Sequence, residues 1–528
     1  MRTPPVTQTP RTLSAALRRD SGGPARGARW TLLVLATATT LACAGDDPAD
    51  ESANGEGPTA LGDGPAAEEL SDEERARRAL DRAYPMHGAI TGVQLKVYLS
   101  PDPEGTVAGW LRVGARIRLK AEVVRRRGCS GGFQEIHPKG FVCVGDGVEV
   151  REAPIEIDEP TLEGWKEDQV ELAAADRRLV LPPIASDEPL PYDYYYVKEL
   201  AVPEYHRLPS RNEQRAAVEY SEHYQELLAD NESRARRFMA GELPGPRGTA
   251  VAARYLDRGF FVASTGIELR ASRRFVRTTG GRFIKQAQLE TRAGSDFRGV
   301  EITEERPLPV AWAARTARPM IKIEDDEGIR FETDDDAEPI ERQTLLDWQD
   351  RRNLGGRVMH ILEGDRYLRA WFASVAAPIE RPEEIGEEEP WVHIDLSEQT
   401  LVLYRGDEAK FATLVSTGVD EHATPTGIFR IQRKHITDTM SNIGPDADSD
   451  RYRIEDVPWT QYFEGSFALH TAFWHSRYGL PRSHGCVNMA PADAHRVFQA
   501  TWPVLPEHWH GVAVRGTDLP ASHVVITD

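Results

Sequence analysis

The sequence predicts a mainly β protein, and three patterns carry that expectation. Apolar residues alternate with Gly or charged ones over 113–123, so that Val113, Ala115, Ile117, Leu119, Ala121 and Val123 share one side of an extended chain. Short runs rich in β-branched and aromatic residues recur around tight turns, as in "RRFVRTTGGRFIK", where Gly280 and Gly281 suit a hairpin, and in "RVMHILEGDRYLRAWFAS". Only one long helical stripe stands out, from about 212 to 240, opened by Ser210 and Glu213 and closed by Gly241. Tyr220, Tyr224, Leu227 and Leu228 share its apolar side, which reads as core packing.

At 528 residues the chain is long enough for about three domains. Its 64 Lys and Arg stand against 84 Asp and Glu, a net charge of -20, so it has no basic field to draw in a polyphosphate and no nucleic-acid partner is expected.

Residues 1–43 read as an export signal: Arg11, Arg18, Arg19, Arg26 and Arg29 precede "WTLLVLATATTLACAG", an apolar run too short to span a bilayer. The run ends at Cys43 after Leu41 and Ala42, and so resembles a bacterial lipobox, with Thr40 where Leu is usual. That resemblance implies a lipid anchor at Cys43, a membrane partner and residence on the periplasmic side of the envelope. The rival reading is an ordinary cleaved signal. Residues 44–84 are expected to be a tether, since 44–70 hold almost no large apolar residue; "SDEERARRALDRA" offers a short charged helix capped by Ser71 and Glu74.

Export bears on the cysteines, because beyond the inner membrane those that can pair usually do. Cys129 and Cys143 flank a Gly-rich hairpin pattern that would bring them together, which leaves Cys486 as a free thiol; pairing of Cys486 with either remains open at this stage. Closing that loop should stabilise by about 3 kcal/mol in the chain-entropy model. The surrounding stretch, 85–150, resembles a bacterial SH3-type small barrel, with a packing or spacer module as the alternative. Residues 151–250 are expected to connect, 251–380 to form a β-rich middle domain, and "EEIGEEEP", with Pro382 and Pro390, to mark the border of a last domain at 390–517.

The chemistry concentrates in "LHTAFWHSRYGLPRSHGCVNMAP", which holds His470, His475, His484 and Cys486. A structural zinc site is disfavoured: His470 and His475 on one strand would point to opposite faces, and no helical metal pattern is present. A cysteine nucleophile needs a base within reach and backbone donors for a developing oxyanion. Here Gly485 allows close backbone approach beside Cys486, and His470 lies on an apolar strand, "SFALH", able to run next to that turn; an adjacent imidazole is expected to lower the thiol pKa. A buried inert Cys would suit an apolar run better than one bracketed by Arg482, Ser483, His484, Gly485 and Asn488.

"SHGCVNM" resembles the signature of the L,D-transpeptidase catalytic domain, the YkuD domain, in which a histidine precedes Ser-His-Gly-Cys-x-Asn by about a dozen residues. "STGVDEHATPTGIFRI", with Thr424 to Gly427, "DTMSN", with Met440, "IEDVPWTQYF" and "ALHTAFWH" agree with it, over about 125 residues. The resemblance implies a β-sandwich, Cys486 as acylated nucleophile, His470 as general base and acid, and the Thr471 carbonyl as its orienter. His484 and Gly485 would shape the oxyanion hole with the Cys486 amide, Ser483 and Asn488 would brace the loop, and Arg482, Asn488 and Tyr462 would meet substrate, with a surface salt bridge as the alternative for Arg482. It further implies peptidoglycan stem peptides as partners, no cofactor and no metal, and 3–3 cross-linking, with L,D-carboxypeptidase action or protein attachment to the wall if another acceptor resolves the acyl group. The rival from another class is a catalytically silent wall-binding scaffold; a papain-like protease would need its cysteine upstream of its histidine. In "SNIGPDADSDRYRIED", Asp446, Asp448 and Asp450 echo a calcium loop, but Arg451 stands where Gly is needed.

Overall fold

Strands dominate the computed structural model, which describes residues 71–145, 147–155, 187–443 and 452–528; four α-helices occur among the described residues. The leader with Cys43, the low-complexity part of the tether, and Asp446, Asp448, Asp450 and Arg451 lie outside them. Helix α1 (Asp72–Ala83) begins where Ser71 Oγ accepts the Glu74 amide at 3.2 Å, and it buries none of its residues.

The single helix expected over about 212–240 is two, α2 (Arg211–Asp230) and α3 (Glu232–Met239). The break falls at Asn231, whose backbone is extended and whose Oδ1 accepts the Arg234 amide at 3.0 Å, so it caps α3 instead of continuing α2. Ser210 and Glu213 form a reciprocal capping box at the start of α2.

In the N-terminal region, Met86–Ile90 pairs antiparallel with both Arg116–Leu119 and Val148–Arg151, and Gln94–Tyr98 pairs with Val107–Arg112. The alternating stretch is shorter than expected. Gly114 turns the chain at φ 89°, only Arg116–Leu119 form the strand, and Val123 is exposed. Cys129 and Cys143 are bonded to each other, their Cα atoms 5.7 Å apart, and the second ends the hairpin of Phe133–Glu135 with Phe141–Cys143. Ile90, Val97, Leu111, Ile117, Leu119 and Val142 pack together with Trp509, which comes from the other end of the chain. A Cβ on Gly109 would meet the Trp509 ring at 2.3 Å, so this core depends on a bare position there.

The stretch expected only to connect contributes strands. Asp193–Val197 pairs with Phe261–Arg270, and Val202–Tyr205 pairs with Ala252–Leu256 and Phe283–Lys285. Its buried Tyr194, Tyr195, Val197 and Val202 supply the apolar face that pays for ordering it. Arg273–Thr278 turns back through Gly281, at φ 71°, to set Val276 opposite Ile284. A further group of strands between Val310 and Ala376 has its own core of Ala311, Leu346, Leu362, Leu368 and Val375.

The last region is a sandwich. One sheet runs in the order Val300–Glu301, Glu408–Leu414, Thr400–Arg405, Pro390–Asp395, His523–Thr527, Gly427–Arg430. The border expected at 517 is therefore too early, because His523–Thr527 lies parallel to Pro390–Asp395 inside that sheet. In the facing sheet Arg453–Glu464 lies between Arg433–Ser441 and Phe467–Thr471, and Phe467–Thr471 runs parallel to Val487–Met489. Val392, Ile394, Leu401 and Leu403 from the first sheet meet Phe463, Leu469, Val487 and Met489 from the second, with Val497 and Phe498 of α4 (Pro491–Ala500) closing the core.

The second sheet does not stop at this region. Gly511–Ala513 joins Arg433–Ser441 to Val107–Arg112, and Phe261 pairs with Ile454. At the junction Asp456 is buried at φ 50°, held by Arg112 at 2.5 and 3.1 Å, by Thr437 at 2.9 Å and by Thr279. Its carbonyl accepts from Tyr194 Oη at 2.7 Å.

Candidate active site

The two parallel strands sort the segment around His470 and Cys486 into two faces. Leu469 pairs with Val487 and Thr471 with Met489, and Leu469, Val487 and Met489 point into the sandwich core. Alternation then sends Ala468, His470, Cys486 and Asn488 to the opposite face, with His470 directly beside Asn488 in register. Cys486 is a free thiol, half-buried, next to the first of these strand residues.

Thr471 turns its carbonyl back to His470 Nδ1 at 2.9 Å. Burial pushes the His470 imidazole down to about 4 against that hydrogen bond, so the ring is neutral at rest. A neutral ring donating Nδ1–H to a carbonyl keeps its lone pair on Nε2. The ring lies stacked with Trp474, centroids 5.8 Å apart.

The cysteine does not behave as the sequence alone suggested. Burial pushes its thiol up, and the Ala468 amide only partly offsets this; Sγ also lies 3.6 Å from the Ser466 carbonyl. With thiol raised and imidazole lowered, the pair rests as SH and neutral imidazole, because a thiolate–imidazolium pair would have to be desolvated here. Cys486 is accordingly expected to react with iodoacetamide at pH 7 no faster than a free cysteine, with a rate that climbs toward and beyond pH 9. Alkylation kinetics followed by mass spectrometry check this, and a plateau below pH 7 would contradict it.

The Ser483–Cys486 turn is fastened at Ser483, Gly485 and Cys486. Ser483 Oγ donates to the Cys486 carbonyl and accepts the Gly485 amide at 3.1 Å. The amide of Gly485 is thus engaged inside the loop, and its contribution is conformational: φ is 104°, and a Cβ would meet the Phe467 ring at 2.3 Å. Thr424 Oγ1 donates to the Gly485 carbonyl and accepts the Gly418 amide, both at 2.9 Å, which is the work of the Thr424–Gly427 segment. The amides of Arg482 and Ser483 donate to the Thr417 carbonyl at 2.8 and 2.9 Å. Gln399, at φ 55°, in turn holds Thr417 through 2.6 and 2.9 Å bonds.

The other expected residues fall as follows. The His484 ring is exposed and packs between His422 and Tyr452, centroids 4.6 and 5.8 Å away. Arg482 is exposed beside His475, whose pKa it helps lower. Met440 lies opposite Ile454. Tyr462, expected to touch substrate, is buried: its Oη donates to Asp438 Oδ2 at 2.9 Å and Arg433 covers its ring at 3.9 Å, so Arg433 holds the outer position. Among the described residues no group of three or more His, Cys, Asp or Glu is placed to hold a metal ion, and no helix is long and apolar enough to cross a membrane.

Several contributors had no local signal. Tyr194 stacks on Phe473 at 4.0 Å, and Phe261 meets both Phe473 and Trp474, so these residues wall the end of the His470 strand. Tyr452 belongs to the same cleft, since the Cys486 charge helps raise its hydroxyl pKa, after burial. His475 is not turned away but lies against Asn488 at 2.9 Å.

Residues 389–506 match the family model of the L,D-transpeptidase catalytic domain, YkuD. Similar solved structures include an L,D-transpeptidase variant from Enterococcus faecium, 18% identical over 26% of this chain and 50% of that one, TM-score 0.21. Others are an L,D-transpeptidase in complex with imipenem, 20% identical over 31% and 72%, TM-score 0.22, and one from Mycobacterium smegmatis, 17% identical over 39% and 79%, TM-score 0.22. The chain spans about half the length of the Enterococcus faecium structure. No curated protein matches it. Residues 389–506 of this chain are a member of the YkuD family of L,D-transpeptidase catalytic domains.

Proposed function

We propose that the chain is an L,D-transpeptidase that forms 3–3 cross-links between peptidoglycan stem peptides through a Cys486 acyl-enzyme. The observation that carries this is the placement of a free thiol and a carbonyl-held imidazole on one face of paired strands. His470 Nε2 takes the thiol proton as sulfur attacks the carbonyl of the third stem residue. The tetrahedral intermediate then collapses, breaking the bond to the terminal D-alanine, whose amine takes that proton from His470 and leaves a thioester. With Gly485 N–H already bound to Ser483, the Cys486 amide is the backbone donor assigned to the oxyanion. An amine of a second stem, deprotonated by His470, attacks the thioester and releases the thiol.

The same reading places the chain outside the inner membrane, anchored by lipid at Cys43. The Cys129–Cys143 disulfide supports an oxidising compartment.

Incubation of the reduced full chain with imipenem, the ligand in one similar structure, should add one drug mass, and Cys486→Ser should add none. No adduct on folded wild-type protein would defeat the enzyme reading in favour of a silent scaffold. Incubation with stem tetrapeptides then distinguishes acceptors: D-alanine loss with a peptide dimer supports cross-linking, and a trimmed monomer alone would replace it with L,D-carboxypeptidase action.

A further inference from the structure

The loop after the catalytic strand is held from outside by the middle region. Arg342 donates to Ser476 Oγ at 2.8 Å, and Gln343 Nε2 donates to the Ser476 carbonyl at 2.9 Å. This anchoring sets His475 against Asn488, the residue that lies in register with His470.

The ring of His475 is fixed at both nitrogens. Nδ1 accepts the Arg477 amide at 3.2 Å, and Nε2 lies 2.9 Å from Asn488 Nδ2. Burial first, then the charges of Arg482, Arg342 and Arg477, hold the imidazole down at about 3, so it is neutral at any pH where the chain works. A neutral imidazole that accepts at Nδ1 carries its proton on Nε2. Two N–H donors would then face each other, while Asn488 Oδ1, on the same side chain, is buried without a partner. Amide oxygen and nitrogen are alike in shape, and their assignment follows from the hydrogen-bond network. A half-turn of the carboxamide removes the clash of donors: Oδ1 accepts His475 Nε2–H, and Nδ2 takes the place that Oδ1 held.

We infer that His475 is a positioning residue for acyl transfer: it holds the Asn488 oxygen, so that the Asn488 amide presents N–H donors, and no acceptor, on the face shared by His470 and Cys486. This rests on the proposed acyl-transfer reading. An acceptor there would repel the oxygen of an incoming carbonyl, whereas a preset donor attracts it. His475 acts through Asn488 and touches no reacting atom.

The tautomer is readable directly. Long-range proton–nitrogen NMR of the full chain should show His475 protonated on Nε2, and protonation on Nδ1 would overturn the inference whatever the activity. In stopped-flow acylation by imipenem, His475→Leu should lower the second-order rate constant by about 10-fold or more, and His475→Gln, which keeps an N–H donor, should recover much of it. In an Asn488→Ala background, His475→Leu should cost nothing further. Additive losses, or His475→Leu reacting like wild type, would refute the positioning role. Failure of wild type itself to acylate at Cys486 would strike the proposed function instead and leave the tautomer result standing.

Discussion

Asp456→Ala should destabilise the folded chain by about 3–5 kcal/mol, and Arg112→Ala by a similar amount, because each leaves the opposite charge buried and unpaired. Burial alone would push the Asp456 carboxyl up; the Arg112 charge and the bonds from Arg112, Thr279 and Thr437 overcome it and hold it below the ordinary carboxylate range. The four groups come from three stretches: Arg112 near the N-terminus, Thr279 in the middle, and Thr437 with Asp456 in the sandwich. His510 adds a bond from the C-terminal end, with Nε2 2.8 Å from the Thr437 carbonyl. The loss should therefore appear as weakened docking of all these stretches, visible in urea unfolding and as faster proteolysis between them. The double variant should cost clearly less than the two singles together, since it removes both members of the pair. Two single variants within about 0.5 kcal/mol of wild type would show that the ion pair does not hold the junction.

Acid should unfold this protein earlier than its carboxylates alone require. Several histidines are held neutral: burial lowers His435 and His470 to about 4 and the half-buried His475 to about 3, from an ordinary 6.5, and it lowers His510, His360 and His393 as well. For each, the unfolded chain binds a proton that the fold refuses, so the stabilisation is complete above about pH 6.5 and drains away as pH falls toward the folded value. Asp493 works in the opposite sense: burial raises it from 3.8 to about 6, so its protonation favours the fold increasingly as pH falls from about 6 toward 4. One pKa unit corresponds to about 1.4 kcal/mol, so the histidines outweigh it and remove several kcal/mol from a margin of about 5–15 kcal/mol. Urea midpoints at pH 7.5, 6 and 5 should fall in that order. His435→Phe should flatten the fall, because neither ring nitrogen of His435 has a partner and its ring is packed 4.3 Å from Trp110. Midpoints that do not change between pH 7.5 and 5 would mean that these rings are already protonated or solvated in the fold.

What could be read from the chain is what depends on neighbours in sequence. The disulfide joins residues separated by 14 positions across a Gly-rich hairpin, and the Ser483–Cys486 turn is bonded within itself. The same holds for the Thr471 carbonyl on His470, one residue away. The single long helix failed at Asn231 because a capping side chain competes locally with helix continuation, which an apolar stripe does not register.

Contacts across hundreds of residues were decided by tertiary structure alone. Arg112 meets Asp456 over a separation of 344 positions, Tyr194 stacks on Phe473, and Trp509 completes the core of a region that begins at residue 86. The charge state of Cys486 and His470, the proposed catalytic pair, belongs with these, since a motif names a thiol and an imidazole but not how much water each keeps. Desolvation is set by everything packed around a group, and here it reverses the ionisation that proximity alone would favour.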